Sequence, residues 1–143
     1  MRSRLTLRSS AIVLSAAALL SCLGRTFLDY GYVFPEFGVT MPALLPITLA
    51  LLGIYGAWIW ALLASARGIR AGLALLTGFN LIVVLFGVST MTTLCPLPCG
   101  TVYPLSDILI WANVGLGTLA TLAVARVWLN FGSPTRAAIG EPS

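Results

Sequence analysis

Apolar positions in this chain come in long blocks, Ser9 to Gly24, Ala43 to Ala66, Ala71 to Met91 and a last one beginning near Ser106, where a soluble domain would intersperse polar residues. A helix rising about 1.5 Å per residue crosses the roughly 30 Å hydrocarbon layer in about 20 residues. The two central blocks are each long enough and are hinged on Arg67-Gly68-Ile69-Arg70, so they read as a transmembrane hairpin. Two arginines in so short a turn predict that it is cytoplasmic, because basic residues beside a membrane segment resist translocation.

The pattern as a whole predicts an all-α, polytopic integral membrane protein. We expect one domain over residues 1–143, an antiparallel bundle of four transmembrane helices at about 7–24, 43–66, 71–91 and 106–129, with both ends cytoplasmic. Outer loops are expected at 25–41 and 92–105, a cytoplasmic turn at 67–70 and a disordered tail over 132–143. No internal repeat of the kind that marks an inverted-repeat transporter is visible.

The first block has two readings. As a retained anchor it carries Ala11, Ser15, Ala18 and Cys22 as a small-residue stripe at helical spacing, and Arg8 can extend back to the headgroups. As a signal peptide it offers a basic start, a short apolar core and Ala16-Ala17-Ala18 as a cleavage site, which would leave three helices. Leu19-Leu20-Ser21-Cys22 also looks like a lipoprotein box, with an unusual leucine before the serine. The retained helix is preferred because the apolar run continues past either cleavage point.

Between the first two blocks, Arg25 to Met41 is too polar and glycine-broken to span, yet it holds Phe27, Tyr30, Tyr32, Phe34 and Phe37. It reads as a headgroup-level loop whose aromatics form an interfacial belt, with an Arg25–Asp29 pair if a helical turn persists there. In the second helix Pro42 and Pro46 stand in the first turns, Tyr55, Trp58 and Trp60 weight the far end, and Gly53 and Gly56 thin it for a neighbour. Asn80, midway along the third helix, needs a hydrogen-bond partner and should face inward. Along the fourth, Asn113, Gly117, Thr121 and Ala125 recur every fourth residue as a small-and-polar seam, with Ser106 and Asp107 suited to its start.

Charge sharpens this picture. The basic balance is entirely arginine: Arg2, Arg4, Arg8, Arg67, Arg70, Arg126 and Arg136 fall on one expected side, and only Arg25 falls opposite with Asp29, Glu36 and Asp107. That is a positive-inside signal and gives no support for nucleic acid binding. The chain has no histidine and no lysine, which excludes a His-ligated haem, a His-rich metal site, an imidazole base and a lysine Schiff base. Arginine in place of lysine, with much alanine and glycine, points to a GC-rich bacterial genome and an inner membrane.

The remaining chemistry lies in the passage Thr92 to Pro104, where three prolines and a glycine forbid regular structure. Cys95 and Cys99, four residues apart on the expected oxidising side, are predicted to form a disulfide that holds the loop's shape. A loop that small gains only about 2 kcal/mol from the bond. The sharper alternative is a redox-active pair. Four-helix thiol oxidoreductases of the DsbB and vitamin K epoxide reductase kind, however, use a two-residue CxxC and a second cysteine pair, whereas this chain has CxxxC and one leftover, Cys22. A third alternative, small-solute transport, would have only Asn80, Asn113 and Thr121 as a polar patch. The small multidrug-resistance transporters share the size but depend on a first-helix glutamate, and Ser9 to Gly24 contains no acid.

The expected function is therefore noncatalytic: an accessory or structural subunit of a larger membrane complex. Its expected partners are the lipid bilayer and other membrane subunits, and no cofactor or metal is expected.

Overall fold

The computed structural model describes residues 2–36, 38, 40–93 and 104–131. Over these the chain is almost entirely helical: α1 Arg2–Leu28, a π-helical turn Asp29–Val33, the short α2 Phe34–Glu36, α3 Met41–Ala66, α4 Arg70–Thr93 and α5 Pro104–Phe131. Four segments are long and apolar enough to cross a membrane: Leu7–Tyr32, Pro42–Ala66, Arg70–Ser89 and Ile108–Leu129.

The largest departure from expectation is in the stretch read as a first outer loop. Helix α1 passes through Gly24 and Arg25 to Leu28, and helical structure continues to Glu36. The polar residues that suggested a loop satisfy one another within the helix. Arg25 Nε lies 2.9 Å from Asp29 Oδ1 one turn on, and Thr26 Oγ1 donates to the Cys22 carbonyl at 3.0 Å. The helix stops where Gly38 takes φ +68°, its N–H donating to the Pro35 carbonyl at 3.1 Å. Thr40 then turns extended, and its carbonyl receives the N–H groups of Ala43 and Leu44 as α3 begins.

The turn between α3 and α4 is a Schellman motif built on Gly68, φ +92°. Ile69 N–H reaches back to the Ala64 carbonyl at 3.0 Å and Gly68 N–H to the Ser65 carbonyl at 3.1 Å, closing the last carbonyls of α3. Helix α5 starts at Pro104, where a missing N–H costs nothing.

The buried positions follow a common rule. They step by three and four residues in turn: Leu73, Leu76, Asn80, Val83 and Gly87 in α4, and Ile110, Asn113, Gly117, Ala120, Val124 and Val127 in α5. In α1 the line runs Ala11, Ser15, Ala18 and the half-buried Cys22, and in α3 the buried Leu44, Trp58 and Ser65 stand in line with the half-buried Thr48, Leu51, Tyr55 and Leu62, with Ala61 and Ala64 buried beside them. This is the spacing that keeps one helix face toward its neighbours over several turns. It also corrects the seam expected in α5. A strict four-residue step advances about 40° around the helix each time. Asn113 and Gly117 are therefore buried, Thr121 is half-buried and Ala125 is exposed.

Helix α5 packs on α1 and α4, α4 also on α3, and α3 only thinly on α1; α3 makes no contact with α5 among the described residues. The core joins Ala11, Ala18 and Leu19 to Trp58, Ala61, Leu73, Leu76, Val83, Val124 and Val127. Trp58 is 2% exposed and stacks on Phe79 with ring centroids 5.5 Å apart, so it belongs to the interior and not to an interfacial belt.

Candidate functional site

Polar side chains tie the helices together at three levels. Midway, Asn80 of α4 and Ser15 of α1 are both fully buried, and Asn80 Nδ2 donates to Ser15 Oγ at 2.8 Å. The inward-facing asparagine thus meets the small-residue stripe of α1. Gly117 of α5 stands at the same level because it lacks a side chain. A Cβ there would lie 3.3 Å from the Asn80 carbonyl oxygen and 3.0 Å from Val84 Cγ2. Asn113, one turn along α5, is buried, while the Thr121 hydroxyl donates to the Gly117 carbonyl of its own helix at 2.8 Å.

At one end Arg8 reaches across to α3. Its Nε donates to the Ser65 carbonyl at 2.8 Å, and Nη2 donates to the same oxygen. A guanidinium at a helix C-terminus meets the negative end of the helix dipole, so Arg8 caps α3 electrostatically. Expected to extend toward headgroups, it instead turns inward to this carbonyl. Arg67 and Arg70, the residues that set the expected topology, are exposed on either side of Gly68.

At the other end two tyrosines make matching relays between α1 and α3. The Thr26 and Tyr55 hydroxyls are 2.6 Å apart and both reach the Cys22 carbonyl, Thr26 Oγ1 at 3.0 Å and the Tyr55 hydroxyl at 3.4 Å, so the two share one acceptor and one bond between them. Thr48 donates to the Leu44 carbonyl at 2.8 Å, so Tyr30 donates to Thr48 Oγ1 at 2.9 Å. Thr26 of α1 and Tyr30 of the π turn that follows it face Tyr55 and Thr48 of α3. Tyr30 sits in the π turn, and its ring meets Phe34 edge-on with centroids 5.2 Å apart.

Apart from the Arg8 guanidinium, these contacts between helices are made by neutral donors and acceptors. The buried polar side chains are Ser15, Ser21, Ser65, Asn80 and Asn113. Among the described residues, Asn80 Oδ1, Asn113 Oδ1, Ser21 Oγ, Ser65 Oγ and Trp58 Nε1 are buried without a hydrogen-bond partner. No three His, Cys, Asp or Glu side chains gather to share a metal among the described residues. Cys95 and Cys99 lie outside the described residues; Cys22 is half-buried and in no disulfide.

Sequence reasoning missed the Arg8 cap and both relays. Serine, threonine and tyrosine are ordinary in apolar helices, and no local pattern says which neighbouring helix each faces. The spacing of three and four shared by all the long helices was the available signal, since it selects Ser15, Thr48, Tyr55 and Ser65 for inner faces.

Length and composition define the class only this far: an all-helical chain with four helices, among the described residues, long and apolar enough to cross a membrane. Compared with protein-family models, curated proteins and solved structures, the chain matches none.

Proposed function

We propose that this chain is a noncatalytic accessory or structural subunit of a larger complex in a bacterial inner membrane. Its four helices cross as an antiparallel bundle with both ends cytoplasmic, and Cys95 and Cys99 form a structural disulfide on the outer face. The observation that carries this reading is the one-sidedness of α3. That helix has the spacing of an interface helix, yet Leu45, Leu49, Leu52, Ile59, Trp60 and Leu63 are exposed. A Cβ at Gly53 or Gly56 would meet nothing within 4 Å. The glycines expected to thin α3 for a neighbour meet none among the described residues, which leaves that place for a helix of a partner subunit. The fully buried polar side chains among the described residues are neutral, and the ionisable Arg8, Arg25 and Asp29 of the Leu7–Tyr32 segment stand toward its ends, which supports the same reading over ion or proton translocation.

The test is extraction of the tagged chain in mild detergent at native expression, followed by intact-complex mass measurement. A stoichiometric membrane-protein companion is expected, lost in Gly53→Leu/Gly56→Leu while the chain's own stability is kept. A chain that leaves the membrane alone, or a companion indifferent to that double substitution, would overturn the proposal. A reporter fused after Ile69 is expected inside the cell.

A further inference from the structure

Helix α3 is fixed over its last turns and lightly held over its first. From Trp58 to Ser65 it buries Trp58, Ala61, Ala64 and Ser65. Three contacts lock that part: a Cβ at Gly72 of α4 would lie 2.7 Å from the Ser65 backbone nitrogen, Trp58 stacks on Phe79, and Arg8 Nε donates to the Ser65 carbonyl at 2.8 Å. Between Pro42 and Ala57, by contrast, only Leu44 is buried, with Thr48, Leu51 and Tyr55 half-buried. No residue of α3 touches α5 among the described residues. The polar ties of this part to the α1 side are two hydroxyl pairs, Tyr55 with Thr26 at 2.6 Å and Tyr30 with Thr48 at 2.9 Å, and a longer reach of the Tyr55 hydroxyl to the Cys22 carbonyl at 3.4 Å.

On both sides of this seam the backbone departs from a regular α-helix. Pro46 stands inside α3 with no N–H to give the preceding turn, and Tyr30 is carried by the π turn Asp29–Val33. A segment with few buried contacts, one backbone bond fewer and hydroxyl pairs as its ties opens at a lower free energy than the rest of a bundle. The geometry points to a gate: the part of α3 from Met41 to Ala57 swings away from α1 while Trp58 to Ser65 stays fixed, and the Tyr30–Thr48 and Tyr55–Thr26 pairs are its latch. Closed, the four hydroxyls engage one another and the carbonyls of Cys22 and Leu44. Opening frees the same hydroxyls along a crevice between α1 and α3 at the π-turn end. The inference depends neither on a partner subunit nor on the direction in which the chain crosses a membrane.

Distances between nitroxide labels test the gate on the whole chain in phospholipid vesicles. In a C22S/C95S/C99S background, labels at Ala43→Cys and Ile108→Cys span the π-turn end, where Gly24 of α1 meets Leu109. A control pair at Ala66→Cys and Ala125→Cys spans the Gly68 end, and all these positions are exposed. In Y30F/Y55F a longer distance is expected at the first pair, its population relative to the closed one rising about fivefold to thirtyfold over the parent, the effect of losing two modest interhelical hydrogen bonds. The control pair should keep one distance. An unchanged distance at the first pair in Y30F/Y55F overturns the gate. An equal change at both pairs overturns it too, because α3 would then move as a whole. So does loss of any defined distance at both pairs, which would make the two hydroxyl contacts supports of the entire bundle.

Discussion

Helices α4 and α3 meet their neighbours in opposite ways. Along α4 contact is by backbone notches: Gly72 lies against Ala64 and Ser65 of α3, and Gly87 against Val114 of α5. On the α1 side α3 is held instead by side-chain tips, Tyr55 to Thr26 and Tyr30 to Thr48. In lipid, burial of apolar surface gives little drive for helix association, so close packing and hydrogen bonds decide it. The contrast predicts that α4 is the rigid centre and α3 the helix most easily displaced.

The strongest way to break that contrast is to fill a notch. A Cβ at Gly72 would fall 2.7 Å from Ala64 Cβ and 2.7 Å from the Ser65 backbone nitrogen, and backbone cannot step aside. Gly72→Ala is expected to destabilise by about 2–3 kcal/mol, and Gly72→Val by more. At Gly87 the clash, 2.5 Å, is with Val114 Cγ2, a side-chain methyl and not backbone, so Gly87→Ala should cost less. Reversible unfolding in mixed detergent measures both. Equal costs would mean that the α3–α4 contact at Gly72 is looser than a 2.7 Å approach to backbone requires.

Next in size is the Asn80–Ser15 bond, which couples α4 to α1. Its coupling energy, from a cycle of Asn80→Ala and Ser15→Ala, is expected at about 0.5–1.5 kcal/mol. Asn80→Asp would place a carboxylate at a fully buried position and should cost several times more. A coupling of zero would remove this pair from the forces that position α4.

How much of this was legible beforehand divides along the same line. The long apolar helices, the turn at Gly68 and the inward turn of Asn80 could be read locally, because run length, a glycine between arginines and an amide in an apolar run each carry their meaning in a few residues. The extension of α1 through Arg25 was readable only as a conditional helical turn pairing Arg25 with Asp29. Polar residues there counted toward a loop, whereas at a spacing of four they pair within a helix. The seam of α5 was half legible, since Asn113 and Gly117 are buried but a fixed step of four leaves the inner face by Ala125. Arg8 on Ser65 was illegible for a different reason. A carbonyl 57 residues away leaves no mark on the sequence around either residue.

Smaller effects are expected at the tyrosine relays. Tyr55→Phe and Tyr30→Phe each remove one donor and leave the threonine acceptor half-buried, so each should cost about 0.5–1 kcal/mol. The informative measurement is hydrogen exchange along α3. Both substitutions should speed exchange in the first half of α3 more than in α4. Uniform acceleration of both helices would show that the relays support the whole assembly and not α3 alone.

The smallest effect belongs to Gly53 and Gly56, on the outward face of the same helix. Both glycines are exposed with open space at the Cβ position, so Gly→Ala meets no clash and gains some helix propensity. Each change should shift stability by less than about 1 kcal/mol, toward greater stability. The notches at Gly72 and Gly53 would then differ in sign under the same one-carbon addition. A clear loss of stability at Gly53 or Gly56 in the isolated chain would mean that α3 is packed on both sides, by a second copy of this chain if no other protein is present. Unchanged stability in the isolated chain, with loss of a companion in the membrane, is the result that assigns those two glycines to a partner's helix.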